Sequence, residues 1–309
     1  MKISVIIPVF NAEKYLRRCI DTVVRALDGV KGEIIVVNNN STDGSPQIIT
    51  EYQQKYPKML HAMNCKTWGA AAVRNLGVGK ARGEYIWFVD ADDEITKDAA
   101  KKLLAAARKQ KADIVMMGAT KIWADGHTQY LKALDPTDKM LKNRFIRSGL
   151  GPWQVIIRRQ WYLENKFAFR EGIIHEDMEM MPALILYTDK YAAVDEPLYK
   201  YYENPGSVLH KAEWNPHFLD IFPALSGVYD RFREAGALQE YHDDLEWFFI
   251  WNLLLDSAKD FAKAPEGRVG FEKSRKMLGQ YFPNWRKNRI MKGTTLRTKL
   301  RIRLNYRKR

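Results

Sequence analysis

The sequence predicts an α/β fold in which a mostly parallel sheet is flanked by helices. Three observations support this class: strand-like and helix-like segments alternate over about the first 120 residues, the strand-like segments are unbroken apolar runs, and polar residues directly follow three of these runs. Unbroken apolar runs are typical of strands that helices bury on both faces. A ligand site is expected where such strands end.

The predicted elements follow one another in a regular order. The run Ile3–Val9 predicts the first strand, and apolar residues at 3.6-residue spacing predict a helix over 13–27. The later elements of this part are a strand at 34–37, a helix at 46–56, a strand at 59–63, a helix at 69–81, a strand at 85–89, a helix at 96–110 and a strand at 113–117.

The pattern loosens after residue 120 and becomes helical over about 212–280. We therefore predict a first domain over residues 1–210, whose two halves are 1–120 and 121–210. A helical region follows over 211–284, and a basic tail over 285–309 ends the sequence. Since no low-complexity linker separates these parts, we expect the second part to pack on the first.

The positive charge is confined to the end of the chain. The protein has 309 residues and a formal net charge of +13, yet its last acidic residue is Glu272, and residues 273–309 carry 14 Lys and Arg. The 36 basic and 37 acidic residues before that point nearly cancel. This distribution argues against a nucleic-acid-binding body and indicates a local anionic partner for the tail.

The tail mixes its basic residues with apolar ones, which is typical of a segment that binds an anionic membrane surface. A solvated, disordered tail is the plain alternative, and a nucleic-acid-binding arm is a weaker one. The spacing of Leu296 and Leu300 fits a helix, whereas alternation from Leu300 to Tyr306 fits a strand, so the sequence leaves the conformation open.

The expected location is the cytoplasm, at the inner face of the cell membrane. The two cysteines, Cys19 and Cys65, cannot form a disulfide framework, and Cys19 has the spacing of a buried helical residue. No apolar run approaches the ~20 residues of a membrane span, and the apolar run at the N-terminus is too short for a signal peptide. Nothing in the sequence indicates an oligomeric state.

Three carboxylates, Asp90, Asp92 and Asp93, directly follow a predicted buried strand. Such a group is self-repulsive unless a cation lies among its oxygens, and hard oxygen ligands suit Mg²⁺ or Mn²⁺. Capping of the next helix could account for one of these residues but not for all three. The sequence therefore favours a metal site.

Four linked segments resemble family 2 glycosyltransferases over about residues 1–120. They are ISVIIPVFN at 3–11, EIIVV at 33–37 with STDGS at 41–45, AVRNLG at 72–77, and GEYIWFVDADD at 83–93. The resemblance implies a GT-A fold, a nucleotide-sugar donor bound by residues 1–120, a divalent metal, and inversion at the anomeric carbon. It also implies a glycan or lipid-linked acceptor bound by residues 121–210.

The resemblance also assigns roles to single residues. Phe10 would lie against the base, Arg74 would reach the base or the diphosphate, Asp90 would hold the ribose and approach the metal, and Asp92 would ligate it, with Asp93 orienting their loop. The full expected donor site consists of Pro8, Phe10, Asn11, Asn39, Arg74, Asp90, Ala91 and Asp92.

Two positions depart from the family pattern. Asn38 and Asn39 stand where the family usually has a carboxylate pair, the second of which accepts a hydrogen bond from uracil. An amide oxygen can also accept such a bond, so we still expect a UDP-sugar. Tyr202 stands where many members carry an arginine.

The segment from Glu171 to Glu179 resembles the region where these enzymes carry a Glu-Asp pair ahead of a helix. A single displacement needs one base to take the proton of the acceptor hydroxyl. We predict Asp177 as that base, with Glu176 holding the acceptor or serving instead. The alternative is that both merely favour the positive end of a helix dipole. His210 could complete the metal sphere or be a surface histidine.

The sequence thus predicts an inverting, metal-dependent glycosyltransferase of cell-surface polysaccharide synthesis. Two other classes stay open at this point. A nucleotidyltransferase on a related fold would use the same carboxylates without an acceptor base. A non-catalytic scaffold that binds nucleotide sugars or the membrane would fit the Asn38 and Asn39 replacements.

Overall fold

The computed structural model describes residues 1–204 and 213–308. Its strands are β1 (Ile3–Val9), β2 (Gly32–Asn38), β3 (Leu60–Asn64), β4 (Tyr85–Phe88), β5 (Glu94–Ile95), β6 (Ile114–Ile122), β7 (Thr128–Leu131), β8 (Val155–Arg158) and β9 (Tyr191–Tyr202). The helices between them are α1 (Leu16–Ala26), α2 (Ser45–Lys55), α3 (Ala70–Lys80), α4 (Ala99–Gln110), α5 (Leu141–Ser148), α6 (Arg159–Glu164) and α7 (Glu176–Leu184).

Further helices follow the last strand. They are α8 (Ile221–Glu234), α9 (His242–Trp251), α10 (Ser257–Phe261), α11 (Arg268–Tyr281), α12 (Arg289–Gly293) and α13 (Leu296–Arg307), and a π-helical turn over Asn252–Asp256 joins α9 to α10. These bounds confirm the order of elements predicted for the first 117 residues and the helical character of the later part. They also show that the basic tail is helical.

The described strands form one sheet in the order β3-β2-β1-β4-β8-β6-β9-β5, with β7 added beside β6. The strands β1, β2, β3 and β4 are mutually parallel, so the chain leaves all of them at the same edge. The strand β8 runs antiparallel to both β4 and β6. The predicted α/β class is confirmed, and the parallel part of the sheet carries the site.

Helices bury both faces of that parallel part. Every residue of β4 is buried, and six of the seven residues of β1 are buried, which is why these strands are apolar without alternation. On α1 the buried residues recur at helical spacing and include Cys19, whose exposed fraction is zero. The prediction that Cys19 is a buried helical residue is confirmed.

The chain divides into two compact units. The first contains the sheet and consists of Met1–Leu141, Leu150–Gly172 and Tyr187–Pro205. The second is helical and consists of Lys142–Gly149, Ile173–Leu186 and Gly206–Arg309. Residues 173–186 thus belong with the helical unit, although they precede the boundary near 210 that the sequence suggests. None of the described helices is long and apolar enough to cross a membrane.

Candidate functional site

The strands β1 and β2 end next to each other, and their loops are tied together. Residue Val9 is the register partner of Asn38. Beyond the strands, the Asn11 side chain accepts a hydrogen bond from the Thr42 amide at 2.8 Å, and the Asn11 amide donates to the Ser41 hydroxyl at 3.0 Å. Asn11 has a φ of 47°, a conformation that asparagine tolerates better than most residues. Asn11 therefore shapes this loop pair.

Phe10 precedes Asn11 and is 53% exposed. A large aromatic ring this exposed is unusual next to a buried strand, and it offers a face on which a planar base can stack. Pro8 is half-buried near the end of β1 and pairs in register with Val37. Both predicted base-pocket residues thus lie at the edge where the parallel strands end.

Asn39 holds the loop that follows β3. Its side-chain amide donates to the carbonyl oxygens of Cys65 at 2.9 Å and Thr67 at 2.7 Å, and its side-chain oxygen accepts from the Gly69 amide at 2.9 Å. Asn39 is 6% exposed, and its hydrogen bond to the Cys65 carbonyl is buried. A carboxylate could accept from Gly69 but could not donate to the two carbonyls. The two donated hydrogen bonds explain why an asparagine, and not a carboxylate, stands at position 39. A hydrogen bond from uracil would need the second lone pair of the same oxygen.

We expect Asn39→Asp to lower the free energy of unfolding by about 1–3 kcal/mol, because the carbonyls of Cys65 and Thr67 lose their donor and face a new charge. Urea denaturation of the full chain measures this change. Asn40→Asp is the matched control, since Asn40 is exposed, has a φ of 56°, and donates only to Lys66 at 3.2 Å. Equal losses for the two variants would contradict the role given to Asn39.

The loop after β4 carries four carboxylates that have different surroundings. Asp93 is fully buried and accepts from the Tyr199 hydroxyl at 2.7 Å and from the Tyr202 amide at 2.8 Å. Glu94 accepts from the Tyr202 hydroxyl at 2.7 Å and lies 3.0 Å from the Arg18 guanidinium. The contacts of both side chains therefore hold the loop against β9 and α1. The predicted orienting role of Asp93 agrees with these contacts.

Asp90 and Asp92 are the half-buried members of this loop. Asp90 accepts from Arg74 at 3.2 Å, and Asp92 accepts from the Asn204 amide at 2.6 Å. The Asp90 main-chain amide donates to the Tyr199 hydroxyl at 3.1 Å, which fixes the start of the loop. These two carboxylates keep oxygens with open lone-pair directions at the carboxyl end of β4. They form the metal-competent pair.

The pKa shifts of the carboxylates in this loop also favour a metal site. Burial raises the pKa of Asp92, and the neighbouring Asp90 charge adds to the shift. Burial raises the pKa of Asp93 well above its usual range, and Asp90 and Asp92 raise it further. A raised pKa means that the charged form is penalised in the folded protein. A divalent cation between Asp90 and Asp92 would relieve this repulsion, so the residues fit a hard metal ion.

Arg18 is a cation in this region that the sequence did not single out. It lies on α1, donates to the Asp92 carbonyl oxygen at 2.7 Å, and stacks on the Tyr202 ring at 4.0 Å. Its contact with Glu94 offsets the effect of burial there, and together with the hydrogen bonds from Tyr202 and Lys200 it brings the pKa of Glu94 below its usual value. A guanidinium therefore lies beside Tyr202, although residue 202 itself is not an arginine.

Arg74 lies on α3 and is directed to the same loop. Its guanidinium contacts Asp90 and packs over the Phe169 ring at 5.4 Å. The next residue, Asn75, makes a reciprocal pair of hydrogen bonds with the main chain of Phe169, both at 2.9 Å. Asn75 thereby fixes the aromatic face on which Arg74 rests. The structure places Arg74 against Asp90, two residues before Asp92 in the same loop.

The predicted catalytic pair opens α7 in the helical unit. Glu176 is the first residue of that helix and is 5% exposed, whereas Asp177 is half-exposed and accepts from the Met178 amide at 2.9 Å. A third carboxylate of this turn, Glu179, is buried against Arg231 at 3.3 Å. Of the three, Asp177 is the most accessible, while Glu179 has a structural partner.

His175 directly precedes this pair. Burial lowers the pKa of the His175 ring, although the charges of Asp177 and Asp220 act in the opposite direction. The Asp220 carboxylate also accepts from the Ile174 amide at 3.2 Å, so the chain ahead of α7 is held by the loop before α8. The start of α7 is thus a fixed part of the helical unit. His210, the tentative metal ligand, lies outside the described residues.

A second group of possible metal ligands is present in the helical unit. His242, Asp243 and Glu246 place one ligand atom each within 4.8 Å of one another. Arg289 pairs with Asp243, however, and Asn288 donates to Glu246 at 2.7 Å. A guanidinium on one ligand disfavours a second cation, and these contacts join α9 to α12. We interpret this group as structural.

Sequence reasoning missed Glu94, which belongs to the carboxylate loop, and Arg18, Tyr199 and Asn204, which contact it. Only Glu94 had a local signal, because it directly continues the acidic run. The other three are far away in the sequence and meet the loop only when β9 pairs with β5 and α1 packs against β5. The position of Tyr199 follows from the register of β9, in which it is the partner of Ile95.

The fold and the carboxylate loop define a class of enzyme that handles a phosphorylated donor at the carboxyl end of a parallel sheet. The family model for glycosyl transferase family 2 matches residues 4–162, which is about half of the chain. The protein belongs to this family. It is a glycosyltransferase with a GT-A fold, and members of the family use a nucleotide-sugar donor.

Curated relatives support this assignment. The chain is 30% identical to the uncharacterized glycosyltransferase YibD of Escherichia coli over 269 residues, which cover 80% of this chain and 76% of YibD. It is 28% identical to the uncharacterized glycosyltransferase EpsJ of Bacillus subtilis, over 77% of this chain and 72% of EpsJ. It is 27% identical to the poly(ribitol-phosphate) beta-N-acetylglucosaminyltransferase TarS of Staphylococcus aureus, over 65% of this chain and 35% of TarS.

Solved structures share the fold. Residues 1–349 of TarS superpose with a TM-score of 0.76 at 21% identity, covering 99% of this chain and 89% of that fragment. The same fragment is known in complex with UDP-GlcNAc. The mannosyltransferase PcManGT of Pyrobaculum calidifontis, solved with GDP-Man and Mn²⁺, has a TM-score of 0.53 at 16% identity, over 99% of this chain and 86% of that one. The predicted GT-A fold is confirmed.

Proposed function

We propose that the protein transfers a sugar from a UDP-sugar, with Mn²⁺ or Mg²⁺ as cofactor, to a glycan or lipid-linked acceptor in cell-surface polysaccharide synthesis. The observation that carries the proposal is the pair Asp90 and Asp92 at the carboxyl end of β4, where burial and the neighbouring Asp90 charge raise the pKa of Asp92. The named activity of TarS on poly(ribitol-phosphate), and its complex with UDP-GlcNAc, support the donor and the acceptor class.

Asp90 and Asp92 are the residues that would hold the metal. Bound there, a divalent ion supplies positive charge to the diphosphate as negative charge develops on the leaving group. Arg74 adds a second cation that is already oriented by Phe169. Phe10 and Pro8 would line the base pocket, and Ala91, which is 7% exposed, lies between the two carboxylates in the sequence.

We assign the proton transfer to Asp177, for which Glu176 is the alternative. The acceptor hydroxyl oxygen attacks the anomeric carbon, its proton passes to the Asp177 carboxylate, and the bond from that carbon to the phosphate oxygen breaks. The electron pair leaves with UDP. A single displacement of this kind inverts the anomeric configuration. The accessibility of Asp177, compared with the buried Glu176, supports this choice.

We further propose that the protein works at the inner face of the cell membrane, as a peripheral protein. A lipid-linked acceptor is confined to the bilayer, so attachment raises the frequency with which enzyme and acceptor meet. The 14 basic residues of 273–309, unopposed by any acidic one, support attachment to an anionic surface. Nucleic acid is not proposed as a partner.

A donor panel tests the proposed function. The full-length protein is incubated with bacterial membranes as acceptor and with UDP-sugars or GDP-sugars, in Mn²⁺ or in EDTA, and release of nucleoside diphosphate is followed. We expect release from one UDP-sugar that depends on both the metal and the membranes. Turnover that persists in EDTA, or that uses only GDP-sugars, would overturn the proposed donor and cofactor.

A further inference from the structure

The helix α13 presents an apolar ridge to the exterior. Three leucines at four-residue spacing, Leu296, Leu300 and Leu304, are 71%, 48% and 65% exposed. At about 100° per residue they lie within an arc of about 80°. An exposed leucine is ordinary when it is alone, whereas three in a row on one helix face form a continuous apolar strip.

The opposite side of α13 is anchored, so the direction of the ridge is fixed. Ile302 is 1% exposed, and the Asn305 side chain donates to the Leu254 carbonyl oxygen at 2.8 Å. The Arg301 guanidinium donates to the Leu255 carbonyl oxygen at 3.2 Å, and the Tyr306 ring packs on Trp285 at 5.1 Å. The helix therefore cannot turn its leucines inward without breaking these contacts.

Basic side chains border the ridge on both sides. By helical geometry Arg297 lies along one flank, Arg303 and Lys299 lie along the other, and Arg307 continues the ridge itself. Arg297, Arg303 and Arg307 are all exposed. Long arginine stems can cover apolar surface while their charged ends reach phosphate groups at the boundary of a bilayer. No acidic residue occurs from 273 to 309 to oppose them.

We propose that α13 is the membrane-docking element of this protein, with Leu296, Leu300 and Leu304 inserted among the acyl chains of an anionic bilayer. The flanking arginines bind the phosphate groups of the lipids. This inference rests on the peripheral attachment proposed above and assigns it to one helix face. The charge of the surface favours an acidic lipid surface over a second copy of this equally basic helix.

Vesicle co-sedimentation of the full-length protein tests the inference. The vesicles contain phosphatidylcholine alone or phosphatidylcholine mixed with phosphatidylglycerol. We expect binding to the mixed vesicles, and we expect the triple variant Leu296→Ser, Leu300→Ser, Leu304→Ser to bind at least about tenfold more weakly. Replacing Arg297, Arg303 and Arg307 with glutamine should weaken vesicle binding by about fivefold for each charge removed.

The matched control is Leu163→Ser, which changes an exposed leucine on α6 in the other unit. It should bind vesicles like the wild type. Full binding by the triple serine variant would overturn the inference. If only the arginine variant loses binding, the contact with the vesicle is purely electrostatic and the leucines do not insert. Concentration-dependent dimerisation that requires the leucines, without vesicle binding, would assign the ridge to a second copy. UDP binding is measured on the same samples. A protein that binds UDP but not vesicles contradicts this inference alone, whereas a protein that does not bind UDP contradicts the proposed function.

Discussion

Asp92→Asn is expected to reduce metal-dependent sugar transfer by about 10²–10³-fold. The substitution keeps the shape of the side chain and its contact with Asn204, which lies 2.6 Å away, but removes the charge that would hold the cation. Transfer is measured as release of UDP from the UDP-sugar that the wild type uses. The same variant should lose metal-dependent binding of UDP, because Asp92 is one of the two carboxylates that would hold the metal.

The stability of the Asp92→Asn variant supplies an independent check. The pKa of Asp92 is raised in the folded protein, so its charged form at neutral pH lowers the free energy of unfolding. Removing that charge should therefore leave the metal-free variant at least as stable as the wild type. The control is Asp98→Asn, since Asp98 is exposed and its side chain makes no capping bond to α4. Equal activity losses in Asp92→Asn and Asp98→Asn would contradict the metal role of Asp92.

Asp177→Asn is expected to reduce transfer by about 10²–10⁴-fold while leaving metal-dependent UDP binding unchanged. An amide cannot take the proton of the acceptor hydroxyl, whereas the predicted donor-site residues are unchanged in this variant. The split between lost turnover and retained binding distinguishes a base from a residue that holds the fold. It also distinguishes this enzyme from a nucleotidyltransferase, which needs no acceptor base.

Glu176→Gln is the companion variant. Because Glu176 is buried at the first position of α7, its substitution should affect stability more than chemistry. Turnover retained in Asp177→Asn but lost in Glu176→Gln would transfer the role of base to Glu176. Full turnover in both variants would place the base elsewhere.

The sequence predicted the parts of this fold that depend on local pattern. Unbroken apolar runs identified the parallel strands, because a strand that is buried on both faces has apolar residues on both. The prediction that Asp90 and Asp92 belong to a ligand site followed from the rule that ligands bind where such strands end. The site residues that belong to these local motifs, including Arg74 on α3, meet in the structure.

Contacts between distant segments were not predictable in the same way. Tyr199 meets Asp93 across 106 positions of sequence, and Asn204 meets Asp92 across 112. Such pairs depend on the register between β9 and β5, which no local pattern reports. The role of Asn39 was hidden for the same reason, because the carbonyls of Cys65 and Thr67 reach it only through the pairing of β2 with β3.

The basic tail shows a third kind of limit. Its residues satisfied helical spacing over one stretch and strand alternation over another, so periodicity alone could not decide its conformation. The structure makes it helical because Ile302 and Asn305, three residues apart, fall on one side of a helix and find partners there. Tertiary packing therefore stabilises a helix here that periodicity alone does not identify.

Calorimetric titration of UDP into the full-length protein, in Mn²⁺ and then in EDTA, tests the central claim most directly. We expect saturable binding in Mn²⁺ that EDTA abolishes, that Asp177→Asn preserves, and that Asp92→Asn loses. Equal binding of UDP with and without the metal, or equal binding by wild type and Asp92→Asn, would contradict a metal-dependent donor site at Asp90 and Asp92.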